Sequence, residues 1–461
     1  MNGTAGHSRL EALATWAAGL TFEHLPDEVV SKTEDFYLDW LACTIAGRRH
    51  VAVTSMVKYA KLMGPTDGKC EIIGFGGFTT SPHFAALING ACSHVVEQDD
   101  LHNSSMMHPA TVVFPAALAV AQDIGVDGKR FIVACVIGYE FACRAGEYLG
   151  KSHYEKFHTT ATTGVLGAAA ASAYLLGLDA DTMMSAIGTA GTQAAGLWQF
   201  LLDATHSKQV HTGTACANGV MSAYLARSGL LGPKDILEGS RGMATSLSAV
   251  ETHPSAIDGK LGQRWSILGS SFKWHASCRH THPSVDALLS LMQRERLIMN
   301  DIEDVETKTY KAAINVLSLS EEGSTVHQSK FSMGFVLAVA AKYGHAMITD
   351  FTEAALEDQE LRSFQKNVHM TLDPEIDALF PEQWTGVVVV KTRSGKVLTE
   401  HAHVCKGDPE QTLTRGELEK KFSSLASYGG ASDDDQLTTL IARAWSLHEQ
   451  QDMTGFAFPS L

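Results

Sequence analysis

Two stretches of this chain, 157–178 and 182–202, carry no Asp, Glu, Lys or Arg, and each is long enough to cross a bilayer. Both are diluted with Thr, Ser, Gly and Gln, and neither has the Leu/Ile/Phe density or the basic flanks of a membrane span. A run like this is stable in water only as a helix enclosed on all sides by others. The chain must therefore build a large helical body, and no membrane partner is expected.

The neighbouring sequence supplies that body. Apolar residues recur at helical spacing in segments near 8–20, 26–47, 52–62, 81–97, 110–123, 127–149, 159–177, 180–201 and 210–229. Several begin with helix-start signals, among them Pro26-Asp27-Glu28, Ser81-Pro82 and Asp179. Between two glycine-rich turns, Cys70-Glu71-Ile72-Ile73 reads as a small extended insertion, and those turns lack the Lys of a phosphate-binding loop.

After about 265 the pattern changes. Period-two alternation marks strands at 305–310, 387–391 and 397–404, with Arg393-Ser394-Gly395-Lys396 as the turn of a hairpin. Helical runs at 283–295 and 329–343 are interleaved, which describes an α+β region. The segments 412–422 and 434–450 return to helix and are expected to dock on the first body.

The 36 Lys and Arg against 51 Asp and Glu leave a net charge of −15, so nucleic acid is not an expected partner: counterion release needs clustered cations. The eight cysteines include no CxxC pair, which reads as free thiols in a reducing compartment. The first twenty residues lack a basic region followed by an unbroken apolar one, and the expected location is the cytoplasm.

The basic residues are gathered against this acidic background. Residues 273–282 read KWHASCRHTH, with no acid among them. A second group is His206, Lys208 and His211, and a third is His102 and His108, behind Glu97, Asp99 and Asp100. Any one histidine is most simply a satisfied structural residue. The clusters together point to a cationic pocket for a small polyanion, with imidazoles that can move protons near neutral pH.

His275, Cys278, His280 and His282 have metal-ligand chemistry, but residues one and two apart need an irregular backbone to converge, and no HExxH or CxxC partner exists. No metal is expected. No GxSxG elbow is present, and Cys278 reads as a buried structural thiol, so covalent catalysis is not expected.

A set of motifs in consistent order resembles the MmgE/PrpD family, which includes 2-methylcitrate dehydratase, cis-aconitate decarboxylase and iminodisuccinate epimerase. It runs through Asn89-Gly90-Ala91, Glu97-Gln98-Asp99-Asp100, His108-Pro109-Ala110, Phe157-His158-Thr159-Thr160 and His206-Ser207-Lys208. Gly232-Pro233, 273–278 with His282, Lys330-Phe331-Ser332 and Lys406-Gly407-Asp408-Pro409 complete it.

The resemblance implies a mainly α fold: an all-helical domain from 1–265 with 410–461, and a smaller α+β lid over 266–409. It implies a site between the two, a homodimer, and no metal or organic cofactor. Carried over residue by residue, the catalytic positions are His108, His158, Lys208, His282, Asp99 and Asp100. Substrate binding falls to Glu97, Lys208, Lys273, Arg279 and His211. Proton removal next to a carboxylate builds up negative charge, so the chemistry needs fixed cations, a base and an acid. Lys208 with His282 or Arg279 would clamp carboxylates, while His108, His158 and an acidic residue divide the proton transfers.

The chain departs from the family pattern at four points. Glu97 stands where Asp is usual, Leu101 where Thr is usual, the interval to His108 is one residue longer, and 314–320 holds no tyrosine. These departures argue against cis-aconitate decarboxylation. The expected activity is a hydro-lyase dehydrating a 2-methylcitrate-like hydroxy-polycarboxylate. The alternatives are a decarboxylase, a dicarboxylate epimerase such as one for iminodisuccinate, and a non-catalytic binding relative. The partner in each case is a small di- or tricarboxylate.

Overall fold

The computed structural model describes residues 8–203, 205–249, 253–431 and 433–456. The fold is mainly α. Asp27–Gly47 opens after Pro26 with Asp27 and Glu28 in its first turn, where carboxylates favour the positive end of the helix dipole. Gly128–Tyr154 is capped by the Asp127 side chain, which accepts from the Arg130 amide.

The first uncharged run forms Thr159–Thr162 and Gly164–Leu175, and every residue of the second piece except Tyr174 is buried. It lies against Gly128–Tyr154, Ala110–Ile124 and Ser207–Arg227. No helix among the described residues is long and apolar enough to cross a membrane. The second run is not one helix as expected: it divides into Ala180–Gly191 and Gln199–Leu202, with Gly196 between them at φ 150°, which a side chain rarely allows.

Ser207–Arg227 packs most extensively on Pro82–His94. Gly213 permits the approach: a β-carbon there would stand 2.5 Å from the carbonyl oxygen of Leu87. Pro82–His94 stops three residues short of the expected end, which releases 95–100 as a buried irregular segment.

Among the described residues, eight short strands accompany the helices. β1 (Cys70–Glu71) pairs with β2 (Thr79–Thr80), in agreement with the expected extended insertion. β3 (Leu101–His102) pairs antiparallel with β4 (Ser270–Ser271), with Leu101 opposite Ser271. β5 (Ile302–Thr309), β6 (Val368–Leu372), β7 (Gly386–Thr392) and β8 (Val397–Ala402) form one sheet in the order β6-β5-β7-β8. Only β5 and β6 run parallel. The β7–β8 hairpin turns where the sequence places it, and His282–Glu295 packs across both strands.

The chain then returns to the helical body. Arg415–Tyr428 lies along Asp27–Gly47, and Lys421 Nζ sits 2.6 Å from Asp39 Oδ1 in a buried ion pair.

Candidate active site

The β3–β4 pairing ties the acidic segment 97–100 to the basic segment that follows β4, and it places Lys273 beside Glu97. On the other side, the first turn of Ser207–Arg227 brings in Lys208. Both lysines reach one carboxylate: Lys208 Nζ donates to Glu97 Oε1, and Lys273 Nζ lies 3.7 Å from Oε2. Although burial alone would raise it, Lys208 and Lys273 hold the Glu97 carboxyl well below its usual range. Burial lowers Lys273, with Glu97 and Asp99 opposing the shift.

These groups line a narrow cleft with His108, His158 and Arg279. The cleft is tight, with a cavity volume of about 30 Å³. Its walls are aromatic, from Tyr154, Trp198, Phe331 and Trp384. Arg279 is held by Asp408, which also accepts from Ser271 at 2.7 Å, and its Nη1 lies 3.2 Å from His282 Nδ1.

His108 precedes Ala110–Ile124, and His158 caps the start of Thr159–Thr162. His108 Nδ1 is 2.5 Å from the carbonyl oxygen of Asp100 and 3.6 Å from Asp99 Oδ2. A carbonyl only accepts, so Nδ1 carries the hydrogen and Nε2 keeps its lone pair. Burial pushes His108 down to about 3 despite the nearby Asp99. It holds His158 well below its usual value, with His94 and Lys208 adding to the shift. The ring of His94 lies 5.0 Å from that of His108 and 5.3 Å from that of His158, and its Nδ1 is 2.6 Å from Asp99 Oδ2. The cleft therefore presents neutral imidazoles opposite buried lysines, residue types with the chemistry to hold an anion and exchange protons with it.

The structure gathers Glu97, His108, His158, Lys208, Lys273 and Arg279 on the cleft and sets the other expected residues behind it. Asp99 serves His94. Asp100 accepts from the Tyr139 hydroxyl at 2.7 Å and from the Ala110 amide at 2.9 Å, so it braces the segment and does not face the cleft. His282 backs Arg279 and packs on His275, and His211 stands behind His158 at 5.7 Å between rings. Of the two expected carboxylate partners of Lys208, Arg279 lines the cleft, while His282 stands behind it against the Arg279 guanidinium.

Sequence reasoning missed His94, Tyr154, Trp198 and Trp384. The Tyr154 hydroxyl lies 3.1 Å from His280 Nε2, and the His280 ring stacks on Trp384 at 4.8 Å. Where 314–320 lacks a tyrosine, Val316 lines the cleft, and Tyr154 brings a phenol to it from a different helix. Cys278 is a wall residue whose thiol burial pushes up to about 11, which makes it a poor nucleophile.

Among the described residues, His94, Asp99 and His108 have ligand atoms close enough for one ion. The Nδ1 atoms of both histidines are engaged in the hydrogen bonds given above, so an ion would take their Nε2 atoms or displace those bonds.

A helical body with a small sheet region thus carries a cleft in which neutral imidazoles stand opposite lysines. The chain belongs to the MmgE/PrpD family: residues 11–254 match its N-terminal domain and 275–447 its C-terminal domain. It is 27% identical to a cis-aconitate decarboxylase-like protein of Aspergillus oryzae, over 96% of this chain and 95% of that protein. It is 26% identical to the cis-aconitate decarboxylase of Aspergillus terreus, over 95% and 93% of the two chains. The human cis-aconitate decarboxylase is 23% identical, over 90% and 87%.

Proposed function

We propose that this chain is a lyase acting on a small unsaturated or hydroxylated di- or tricarboxylate, and that its reaction is decarboxylation. The observation that carries the reading is the neutral His108 ring, tautomer fixed by Asp100, on the same cleft as Lys208 and Lys273. The relatives' activity sets the choice of decarboxylation.

Bound carboxylates would offset the lysines and raise the proton affinity of His108, which is held down in the empty cleft. A carboxylate on the carbon next to a double bond then leaves as CO2. Its bonding pair becomes a new double bond, the old one shifts, and the far carbon takes the proton from His108. One proton is consumed for each CO2 released. The lysines stabilise the electron-rich intermediate. In this reading 266–409 covers the site, and the protein works as a cytoplasmic homodimer.

Dehydration is the second reading, favoured by two observations. The neutral His108 has a free lone pair at Nε2 and need not first gain a proton, and Leu101 puts an apolar side chain on the cleft where the family pattern has Thr. Here the base removes a proton next to a carboxylate, and the hydroxyl leaves as water with a second proton.

The test is proton NMR in deuterated water with aconitate, citrate, 2-methylcitrate and iminodisuccinate as substrates. Loss of CO2 from an unsaturated acid supports the first reading, and loss of water the second. Deuterium exchange with neither loss would make the protein an epimerase and overturn both.

A further inference from the structure

A cavity of about 30 Å³ has room for roughly two water molecules, so part of the cleft wall must give way to any substrate. Tyr154 and Trp198 are tied in place: the Tyr154 hydroxyl lies 3.1 Å from His280 Nε2, and Trp198 Nε1 donates to the Tyr154 carbonyl at 2.8 Å. Val316 is not tied in this way. It is half-buried on the seven-residue helix Lys311–Leu317 and has no side-chain polar atom to anchor. The stretch 314–320 holds no aromatic ring that would seal this side.

Tyr154, Trp198 and Val316 also line a second cavity, of about 330 Å³, a size that accommodates small organic ligands. It lies where Gln199–Leu202 of the helical body meets Ser318–Ser320. Leu201, Ala312 and Leu319 add apolar surface to the rings of Tyr154 and Trp198, and its charged side chains, Lys311 and Glu155, are of opposite sign. A passage serving only a polyanion would gain from a surplus of cations. This one has none, whereas Lys208, Lys273 and Arg279 line the inner cleft and not the outer cavity.

We infer that the substrate is a di- or tricarboxylate bearing an alkyl tail: its carboxylates lie among Lys208, Lys273 and Arg279, and the tail passes Val316 into the outer cavity. This rests on the proposed function for the carboxylate end of the site and adds the tail to it. Leu201, Ala312 and Leu319 then determine which tails are accepted.

The test uses saturated acids that cannot react, succinate and butylsuccinate, in calorimetric titrations. Burying one CH2 group is worth roughly fourfold in affinity, so a partly buried butyl chain is expected to make butylsuccinate bind about thirtyfold more tightly than succinate. Leu319→Asp puts a charge at the outer cavity, and Ala312→Trp fills it. Each is expected to cut the advantage to about threefold or less, with succinate bound as in the wild type, because neither residue lines the cleft. Leu319 is 41% exposed, so its variant carries the test should Ala312→Trp not fold.

Equal affinity for the two acids would make the outer cavity an entrance only and overturn the inference. No binding of either acid, or an advantage that survives in the folded variants, overturns it as well. Binding is read without turnover, so the lyase reading fails separately, in the NMR screen.

Discussion

His108 holds its Nδ1 2.5 Å from the carbonyl oxygen of Asp100, and this contact decides which nitrogen can do chemistry. The Asp100 side chain is anchored in turn by Tyr139 and Ala110, so the carbonyl is a rigid acceptor. His108→Ala is expected to lower kcat by about 10²–10⁴, the range of a lost general acid–base. Because burial takes the ring to about 3, it stays neutral through the physiological range and gains its proton only as pH falls toward 3 in the ligand-free protein. Ring-nitrogen NMR shifts check this: a His108 titration midpoint near 6.5 in the empty protein would contradict it.

Lys330 lies under the same loop, donating to the Val96 carbonyl at 3.2 Å. Burial brings it down to about 8, with Glu97 opposing and Lys273 and Lys208 adding to the shift. It is therefore charged below pH 8 and neutral above. Losing a nearby cation weakens the hold on an anionic substrate, by roughly tenfold for any two charges about 10 Å apart at an effective dielectric of about 20. KM is expected to rise by that order as pH climbs through 8. Lys330→Arg, which keeps its charge, should abolish the rise; KM measured from pH 6.5 to 9.5 decides.

Much of this was legible from the sequence because helical periodicity and caps are local. The segment near 26–47 forms Asp27–Gly47, and the hairpin at 393–396 turns as its residues dictate. The basic clusters around Lys208 and 273–282 do meet at one cleft. What joins them, the two-residue pairing of β3 with β4, is too short to leave a period and depends on partners about 170 residues apart. Edge strand β6 was missed because its residues are half-exposed and alternate weakly. Asp100 and His282 have the residue types of catalytic groups, and only their hydrogen bonds show that they brace Asp99–His108 and Arg279.

Gly213 tests the packing beneath the lysine. A methyl group there would press on the Leu87 carbonyl at 2.5 Å, and a backbone atom cannot swing aside as a side chain can. Gly213→Ala is expected to destabilise the protein by about 1–3 kcal/mol, the usual cost of overpacking. It should also lower activity, because Lys208 lies just over one turn earlier on the displaced helix. Denaturant unfolding and kcat/KM measure the two effects, and a variant with wild-type stability would mean the helices separate at no cost.

Lys421 binds the helix Arg415–Tyr428 to the acidic segment 97–100. Its Nζ lies 2.6 Å from Asp39 Oδ1 and donates to the Gln98 carbonyl at 2.8 Å, one residue from Glu97. Lys421→Met leaves Asp39 buried and unpaired, at an expected cost of about 3–5 kcal/mol. Burial already raises Asp39 while Lys421 lowers it, so removing the lysine raises it further. An acid whose folded-state value is raised favours the folded state at low pH and loses that contribution as pH rises. The variant should therefore stand closest to wild type in acid and fall behind toward pH 8. Adding Asp39→Leu removes the stranded charge and should restore most of the stability, but not the hydrogen bond to Gln98. Urea unfolding of both variants at pH 5.5 and 8, with kcat measured alongside, separates the roles. Recovered stability with kcat still depressed assigns Lys421 to holding the Glu97 segment, whereas full recovery of both would reduce it to a partner for Asp39.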